Sequence, residues 1–235
     1  MPESTPIELV IMDLAGTTVE DPDGVGQALK AALTFAQVPW NADAVNAIMG
    51  IPKPVAIRQL WSEANPDQVP DDGFLLEIHR DFKTRIMNYY RTDPSVKEVS
   101  GATKVFHDLR ASGIKVGLDT GFSRDIVDVL MHRLGWTHDL VDATVTSDEV
   151  PRGRPHPDLV FRVMELTGVQ NVKHVAKVGD TPSDLGEGTA AGCGWVIGVT
   201  QGTHTEAQLK THPHTHLLDS VRDLPEFFLR TSRHG

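Results

Sequence analysis

A small set of charged and hydroxyl side chains stands where short apolar runs of the chain end. Asp13 directly follows one such run, and Thr120 and Asp180 close or follow two later ones. Asp184 lies one helical turn beyond Asp180, and Arg154 stands between a glycine and a proline. Carboxylates that converge repel one another unless a cation joins them, and hard oxygen ligands favour Mg²⁺. Because a hydroxyl and a guanidinium suit phosphate oxygens, these residue types predict a magnesium site that binds a phosphate-like group.

The turn after Asp13 has the composition of a phosphate-binding turn. The residues Asp13-Leu14-Ala15-Gly16 place a carboxylate beside a small residue and a glycine, which let backbone groups approach a bound phosphate. Alone this is a weak signal, because a strand-end aspartate is often only a helix cap. A second turn, Gly179-Asp180-Thr181-Pro182, puts a proline where a helix would begin. Two such turns in one chain favour a ligand site over two isolated caps.

These residues are positioned by an alternation of predicted strands and helices. The apolar runs are continuous rather than alternating, which is typical of strands covered on both faces and hence of a parallel sheet. Amphipathic stretches lie between them, so we predict an α/β fold with a doubly wound, Rossmann-like parallel sheet. In such sheets ligands bind at the carboxyl ends of the strands. The predicted strands are 9–12, 115–118, 143–146, 174–178, 195–199 and 217–218, and the predicted helices between them are 101–112, 123–134, 157–168 and 182–191.

The segment 20–97 breaks this alternation, because one helical pattern follows another. It lies directly after the first strand, and this position favours a lid over a decorative subdomain. We therefore predict two domains, an α/β core made of 1–19 and 98–235 and a helical cap at 20–97. Within the cap, helices are predicted at 25–37, 42–48, 54–64 and 72–91, hinges at Glu20–Gly24 and Thr92–Ser95, and an apolar core or dimer face at Phe74, Leu75, Ile78, Phe82 and Ile86.

Composition and charge restrict the class of partner. The 235 residues include 22 Lys and Arg against 32 Asp and Glu, which gives a formal net charge of −10. A surface this acidic argues against nucleic acid or an anionic membrane as the main partner. No apolar run approaches the roughly 20 residues of a membrane helix, and the first residues lack the basic stretch of a secretory signal. The one cysteine, Cys193, cannot form an intrachain disulfide and is expected to pack as a small apolar residue, so we predict a cytoplasmic protein.

Four motifs, namely the Asp13–Gly16 turn, Thr120-Gly121, Gly153-Arg154-Pro155 and the Gly179–Asp184 turn, resemble those of the haloacid dehalogenase superfamily. The resemblance covers 7–19 and 101–203, which is nearly the whole predicted core. It implies that Asp13 is a nucleophile that forms an aspartyl-phosphate, and that Thr120 and Arg154 bind the transferring group. It also implies that the helical insert is a mobile cap of the first type.

The same resemblance implies a ligand set for Mg²⁺. Asp13, the backbone carbonyl of Ala15, and Asp180 would hold the cation. Asp184 would be a further ligand or an outer support. Small-substrate contacts are implied for Ala15, Gly16, Met49, Gly50, Thr120, Gly121 and Arg154.

One departure from the superfamily pattern is informative. Most phosphatases of the superfamily have a second aspartate two residues after the nucleophile, which serves as general acid and base, whereas this chain has Ala15. Loss of a positioned proton donor typically costs about 10²–10⁴-fold in rate. The phosphonatase branch also has alanine at this position, and there a cap lysine condenses with an aldehyde substrate so that the imine accepts electrons as the carbon–phosphorus bond breaks.

The resemblance to the phosphonatase branch extends into the predicted cap. The segment Met49-Gly50-Ile51-Pro52-Lys53 is similar to the branch's cap loop, in which Met-Gly precedes the Schiff-base lysine by the same spacing. The segments Gly153–Pro157 and Lys177–Gly192 also look like that branch. Lys53 is therefore the candidate imine-forming residue. The other interpretation of Lys53 is a helix-start lysine that is solvated or pairs with a substrate anion.

Three positions depart from the phosphonatase pattern. Ala56 stands where the branch has a histidine, Phe122 replaces a tyrosine, and Asp23 stands roughly where a cysteine is found. The closest description is therefore the phosphonatase-like group, whose members share the core motifs. His204 and the histidines of segment 212–216 are possible zinc ligands. They lack the accompanying cysteines or the helical i, i+4 pair expected of zinc sites, so the segment is more typical of a polar loop that leads into the final short strand.

We therefore predict a Mg²⁺-dependent hydrolase that acts through an aspartyl-phosphate on a small phosphonate or phosphate metabolite, foremost a phosphonate aldehyde. The first alternative is a phosphomonoesterase for a small metabolite, similar to a phosphoglycolate phosphatase. The second is a phosphate-accepting signalling domain that resembles a response-regulator receiver. We expect a monomer or homodimer with no nucleic-acid or membrane partner.

Overall fold

The computed structural model describes residues 6–137 and 139–231. Among these residues six strands pair in parallel to form one sheet with the order β3-β2-β1-β4-β5-β6. The α/β prediction is confirmed. The strands are β1 (Leu9–Met12), β2 (Lys115–Thr120), β3 (Ala143–Thr146), β4 (Val175–Gly179), β5 (Trp195–Val199) and β6 (His216–Leu218).

Helices alternate with the later strands, as the sequence predicted. The predicted bounds agree with the observed ones within one or two residues, and two helices near the carboxyl terminus were not predicted. The helices are α1 (Gly24–Phe35), α2 (Ala42–Ala47), α3 (Lys53–Ala64), α4 (Asp72–Thr92), α5 (Ala102–Ala111), α6 (Arg124–Leu134), α7 (Asp158–Thr167), α8 (Pro182–Ala191), α9 (Glu206–Leu209) and α10 (Leu224–Thr231).

The central strand β1 is buried on both faces, which explains its continuous apolar sequence. Val10 and Met12 join one apolar cluster of the interior, and Leu9 and Ile11 join another. Successive side chains of a strand point to opposite faces, so the two clusters lie on the two sides of the sheet. Because β1 pairs with both β2 and β4, the order of the strands reverses beside it. Ligands bind at such a switch point in open α/β sheets.

Helices α1 to α4 form a packed group between β1 and α5. Helices α1 and α3 both pack against α4, which in turn packs on α6, the helix that follows β2. The predicted apolar stripe of α4 is interior: Leu75, Ile78, Phe82 and Ile86 are buried, and Phe74 is partly buried. Helix α4 begins where the Asp71 side chain accepts a hydrogen bond from the amide of Phe74 at 2.7 Å, as expected for an N-cap residue.

The two chain segments that enter and leave this helical group run side by side. The amide of Glu20 donates to the carbonyl of Lys97 at 3.0 Å, and the amide of Val99 donates to the carbonyl of Thr18 at 2.9 Å. The predicted domain boundaries fall at this crossing, and the division into core and cap stays a prediction. Within the described residues, no helix is long and apolar enough to cross a membrane.

Candidate active site

A cavity of about 480 Å³ lies at the carboxyl ends of the central strands, beneath the helical group. Its volume falls within the range of about 300–1,000 Å³ that is common for small-molecule sites. Three of the residues predicted for the site, Gly16, Asp180 and Asp184, are not among its lining residues. The predicted site residues that line it are Asp13, Ala15, Met49, Gly50, Lys53, Thr120, Gly121 and Arg154.

Asp13 and Arg154 form an ion pair on the cavity floor. Arg154 Nη1 lies 2.6 Å from Asp13 Oδ1, although the two residues are 141 positions apart in the chain. The other guanidinium nitrogens are held from behind: Nε donates to Glu187 at 2.9 Å, and Nη2 donates to the Asp119 carbonyl at 2.9 Å and to its carboxylate. Nε and Nη2 are therefore fixed from behind, whereas Nη1 lies between Asp13 and Asp184, 2.9 Å from Asp184 Oδ1.

Behind Arg154 lies a fully buried ionic network centred on Lys177. Lys177 Nζ lies 2.6 Å from Asp119, 3.1 Å from Asp184 and 3.3 Å from Glu187. Buried ion pairs add little net stability, because the cost of desolvation offsets their attraction. Removal of one partner nevertheless leaves an uncompensated buried charge. The network therefore fixes the position of Arg154.

Burial and mutual repulsion raise the pKa values of two carboxyls near the cavity. Burial raises the pKa of Asp13 to about 7, with Asp184 and Asp180 adding repulsion and Arg154 opposing it. Burial, followed by repulsion from Asp184, raises the pKa of Asp180 to about 6. A bound cation would favour the ionised form of both carboxyls. The two cations of this network, Arg154 and Lys177, are outnumbered by the four carboxyls that pair with them, those of Asp13, Asp119, Asp184 and Glu187.

The oxygen atoms of the site suit Mg²⁺, for which carboxylate and carbonyl ligands are typical. Oxygens of Asp13, Asp119 and Asp184 lie within 4.8 Å of one another, and Asp119 was not predicted as a ligand. Asp184 Oδ1 accepts no hydrogen bond from the described residues, although cationic nitrogens lie near it. Asp180 lies outside this group and is held by two hydrogen bonds: Oδ1 accepts from Thr17 Oγ1 at 2.8 Å, and Oδ2 accepts from the amide of Thr203 at 2.7 Å. Each of its oxygens therefore keeps a second lone pair for a cation. These residues fit a hard divalent cation.

Gly16 is required by the packing of Asp180. Its φ is +89°, and a Cβ atom built on it would overlap the Asp180 carboxylate. Only glycine adopts this conformation without strain. The Gly16 amide donates to the carbonyl of Val19 at 2.8 Å, so it is engaged within the turn. The contribution of Gly16 is thus the space that it leaves for a carboxylate.

Lys53 is the first residue of α3, and it is only 4% exposed. Its Nζ donates to the Ile51 carbonyl at 3.3 Å and lies 5.9 Å from the centroid of the Phe122 ring. Burial lowers the pKa of Lys53 to about 8, with Asp13 opposing this shift and Arg154 adding to it. Near neutral pH the neutral amine, which is the nucleophilic form, is therefore more abundant than for an ordinary lysine.

Two glycines let the 49–53 loop reach the sheet. Gly50 has a φ of +82°, and a Cβ there would overlap Thr181 Oγ1. A Cβ on Gly121 would lie 2.7 Å from the Gly50 carbonyl. Larger side chains at either position would push the loop outward, and Lys53 with it. The predicted glycines therefore position the lysine by allowing close backbone approach.

Ala56 and Asp23, which depart from the phosphonatase pattern, and the hinge residue Glu20 make contacts outside the proposed chemistry. Ala56 is fully buried in the apolar interior. Asp23 lines the cavity, but its carboxylate forms an ion pair with Lys30 at 2.9 Å. Glu20 pairs with Lys97 at 3.2 Å at the protein surface and does not line the cavity.

Three residues of the ionic network were not found by sequence reasoning. Lys177 is a charged residue inside an apolar strand, and Asp119 is a charged residue directly after the apolar run of β2; these two exceptions were the available signal. Glu187 lies three residues after Asp184 on α8, and this spacing puts both on one helix face. A charge in a buried strand requires a partner, so a search for partners would have grouped them.

Comparison with known proteins gives a consistent result. A model of the haloacid dehalogenase-like hydrolase family matches residues 7–192. The phosphonoacetaldehyde hydrolase of Bacillus cereus is 31% identical over 244 residues, which cover 97% of this chain and 90% of that protein. A phosphonoacetaldehyde hydrolase-like protein from Oleispira antarctica superposes with a TM-score of 0.79 at 22% identity, covering 98% of this chain and 94% of that one. A protein from Haemophilus somnus described as a predicted phosphoglycolate phosphatase superposes with a TM-score of 0.77 at 18% identity, covering 94% and 97% of the two chains.

Proposed function

This chain belongs to the haloacid dehalogenase-like hydrolases, and within them to the phosphonatase-like branch; from that premise we propose that it cleaves the carbon–phosphorus bond of a small phosphonate aldehyde. In this proposal Asp13 attacks phosphorus, and Lys53 holds the aldehyde carbon as an imine. Membership of a hydrolase family argues against the signalling-domain hypothesis.

One observation carries the proposal: a buried lysine and the candidate nucleophile line the same cavity. Lys53 and Asp13 approach it from the helical group and from the sheet, respectively. Ala15 offers no acid two residues from Asp13. Because an imine withdraws electrons from the breaking bond, cleavage through Lys53 needs no proton donor at position 15.

The residues of the cavity floor bind and orient the phosphoryl group. Arg154 is held by Glu187 and Asp119, and its Nη1, which lies beside Asp13, supplies hydrogen bonds to phosphoryl oxygens. Thr120 Oγ1 accepts a hydrogen bond from the amide of Phe122 at 3.2 Å, which leaves the hydroxyl proton to donate to substrate. These contacts align phosphorus with the attacking carboxylate oxygen.

We propose that Asp13, the Ala15 carbonyl, Asp180 and Asp184 hold Mg²⁺. Held there, Mg²⁺ would neutralise negative charge on the phosphoryl oxygens. Asp13 in its ionised form is the nucleophile, and ion pairing with Arg154 favours that form.

The imine step uses the shifted pKa of Lys53. The neutral amine adds to the aldehyde carbon, and loss of water yields a protonated imine next to the carbon that bears phosphorus. When Asp13 displaces that carbon, the bonding electrons pass into the imine and leave an enamine. Protonation of the enamine and hydrolysis release the aldehyde and restore Lys53. Water then hydrolyses the aspartyl-phosphate and restores Asp13.

A substrate panel tests the proposed function. The purified protein is assayed with phosphonoacetaldehyde and with a set of small phosphate monoesters, and phosphate and acetaldehyde are measured in the same reaction. We expect the highest kcat/KM for phosphonoacetaldehyde, with one acetaldehyde formed per phosphate. Faster turnover of an ester, with no acetaldehyde from the phosphonate, contradicts the proposal.

The size of the cavity favours one second candidate function. At about 480 Å³ it has room for a leaving group larger than a two-carbon aldehyde. A phosphomonoesterase for a small metabolite would use this room, with Asp13 as nucleophile and another group as the acid. The ester arm of the panel detects this activity.

Removal of metal is expected to abolish turnover. Dialysis against a chelator leaves the cavity carboxylates without a divalent partner, and a metal ion contributes several kcal/mol to such a reaction, or roughly a thousandfold in rate. Added Mg²⁺ is expected to restore the rate. The measurement is phosphate release before and after Mg²⁺ addition, with metal content checked by mass spectrometry.

Asp180→Asn is expected to weaken Mg²⁺ binding measured by calorimetry. Asp108→Asn on the exposed face of α5 serves as the matched control and is expected to leave that binding unchanged. Full turnover in verified metal-free protein contradicts the magnesium site.

A further inference from the structure

Asp21 is a cavity carboxylate that the proposed reaction has not yet used. It lines the cavity together with three other carboxylates. Asp13 is the proposed nucleophile, Asp23 is paired with Lys30 at 2.9 Å, and Asp43 is exposed on α2. Among the residues that the structure describes, Asp21 has no ion-pair partner. It is therefore the cavity carboxylate that is free to exchange a proton.

The side chain of Asp21 is held in one orientation. Its carboxylate accepts hydrogen bonds from the first amides of α1, those of Gly24 and Val25, the latter at 3.2 Å from Oδ2. The Tyr90 hydroxyl donates to Oδ2 at 3.4 Å. Burial raises the pKa of Asp21 and nearby Asp23 adds to this effect, while the amides and the Tyr90 hydroxyl oppose it. A raised pKa brings a carboxyl closer to the pH at which acid–base catalysis is efficient.

Asp21 and Lys53 line the same cavity. Burial lowers the pKa of Lys53, and the negative charge of Asp21 is one of the contributions that partly offset this lowering. The two side chains are also linked by successive contacts through Tyr90 and Phe122, which fix their positions on the cavity wall. The Tyr90 ring packs on the Phe122 ring with centroids 6.0 Å apart, and the Lys53 ammonium lies over that same ring.

His79 is the competing acid–base group. It lines a second cavity of about 610 Å³, which Lys53 also borders. Arg154 borders that second cavity as well, but Asp13 and Thr120 do not, so the proposed nucleophile does not reach it. Burial and the nearby Lys83 also lower the pKa of His79 to about 4, which leaves the ring uncharged and unable to donate a proton at neutral pH.

We propose that Asp21 is the general acid–base residue of the cavity, which takes a proton from the Lys53 nitrogen and returns it as the imine forms. This role rests on the proposed imine at Lys53.

The proton transfers of this step balance. The Asp21 carboxylate takes one proton from the Lys53 ammonium. The neutral nitrogen then adds its electron pair to the aldehyde carbon, and the carbonyl π electrons move to oxygen. A second proton passes from nitrogen to that oxygen and gives a carbinolamine. Asp21 returns its proton to the hydroxyl group, the carbon–oxygen bond breaks, and water leaves as nitrogen forms the double bond. Asp21 is again ionised, and the iminium carries the charge that the ammonium carried.

The test measures formation of the imine directly, before turnover limits the rate. Protein in excess is mixed with phosphonoacetaldehyde, borohydride is added at successive times, and the reduced adduct on Lys53 is counted by peptide mass analysis. Asp21→Asn keeps the volume and an oxygen that caps α1, but it cannot exchange a proton as a carboxylate does. We expect adduct formation to slow by roughly 10²-fold or more, with an unchanged melting temperature.

Two matched variants separate chemistry from local structure. Asp23→Asn removes a carboxylate from the same loop and the same cavity, and His79→Gln removes the competing acid–base group. Both are expected to form the adduct at the wild-type rate. Asp21→Ala provides a second variant, in which added formate can enter the vacated space and restore adduct formation. A carboxylate that only caps a helix would show no such rescue.

Each outcome decides the proposal. Slow trapping in Asp21→Asn with normal trapping in the two matched variants supports it, as does formate rescue of Asp21→Ala. If wild type and Asp21→Asn form the adduct at equal rates, or if only His79→Gln is slow, the role of Asp21 is refuted and the proposed function stands. If wild type forms no adduct at all, the imine and the role of Asp21 are both refuted.

Discussion

Replacement of Asp13 by Asn is expected to lower turnover by roughly 10⁴-fold or more, because it removes the attacking charge and with it the covalent step. Asn keeps the volume of the side chain and an oxygen that can accept the hydrogen bond from Arg154 Nη1. Since burial and neighbouring carboxylates raise the pKa of Asp13, its neutral replacement also relieves repulsion in the metal-free protein. We therefore expect an unchanged or higher melting temperature without Mg²⁺. The measurements are steady-state phosphate release and thermal unfolding.

The matched control for this substitution is Asp148→Asn. Asp148 also follows a strand at the same edge of the sheet, but it is exposed and does not line the first cavity. Its replacement is expected to leave turnover unchanged. Deamidation of the introduced asparagine would restore the nucleophile, so mass analysis of the Asp13→Asn protein must exclude it. Near-wild-type turnover in the verified variant would rule out the covalent mechanism.

The strands and most helices could be predicted because their signals are local. Strand β1 and strand β5 have the bounds that their continuous apolar runs predicted, since burial on both faces requires apolar residues throughout. Helix α10 was missed, in part because Pro225 discourages a helical interpretation although proline is tolerated in a first turn. Helix α9 has four residues, too few for an apolar periodicity to be visible.

In the candidate site, too, local features could be predicted and contacts between distant segments could not. Motifs within a few residues predicted the lining residues, including Asp13 with its turn and Lys53 with its loop. Contacts between distant segments could not be read in this way: Lys177 and Asp119 are 58 positions apart, and Arg154 and Glu187 are 33 apart. Such pairs depend on strand order, which local patterns do not specify. The hydrogen bonds that Asp180 accepts from backbone and hydroxyl donors were likewise not predictable from spacing.

Lys53→Arg is the substitution that separates the two enzymatic hypotheses. Arginine keeps the positive charge but cannot act as an amine nucleophile, because its guanidinium stays protonated. With phosphonoacetaldehyde and borohydride, the wild-type protein is expected to carry an ethyl or phosphonoethyl group on Lys53, and Lys53→Arg is expected to carry none. Adduct formation should rise with pH and level off above about 8, where the pKa of Lys53 lies. Acetaldehyde release is expected to fall by roughly 10⁴-fold or more in the variant, as for loss of a covalent catalyst.

The matched control is Lys30→Arg, because Lys30 also lines the cavity from the helical group but is paired with Asp23. It is expected to keep both the adduct on Lys53 and the release of acetaldehyde. The contrary result has two parts: no adduct on the wild-type protein, and hydrolysis of a phosphate ester by Lys53→Arg at the wild-type rate. The activity would then be that of a phosphomonoesterase, in which Lys53 at most pairs with an anion. An ester leaving group would need a proton that Ala15 cannot give, so the acid would have to come from the hinge. Of Glu20, Asp21 and Asp23, only Asp21 lines the cavity without an ion-pair partner among the described residues. Asp21 would then be the expected general acid for the ester, and Asp21→Asn would slow ester hydrolysis.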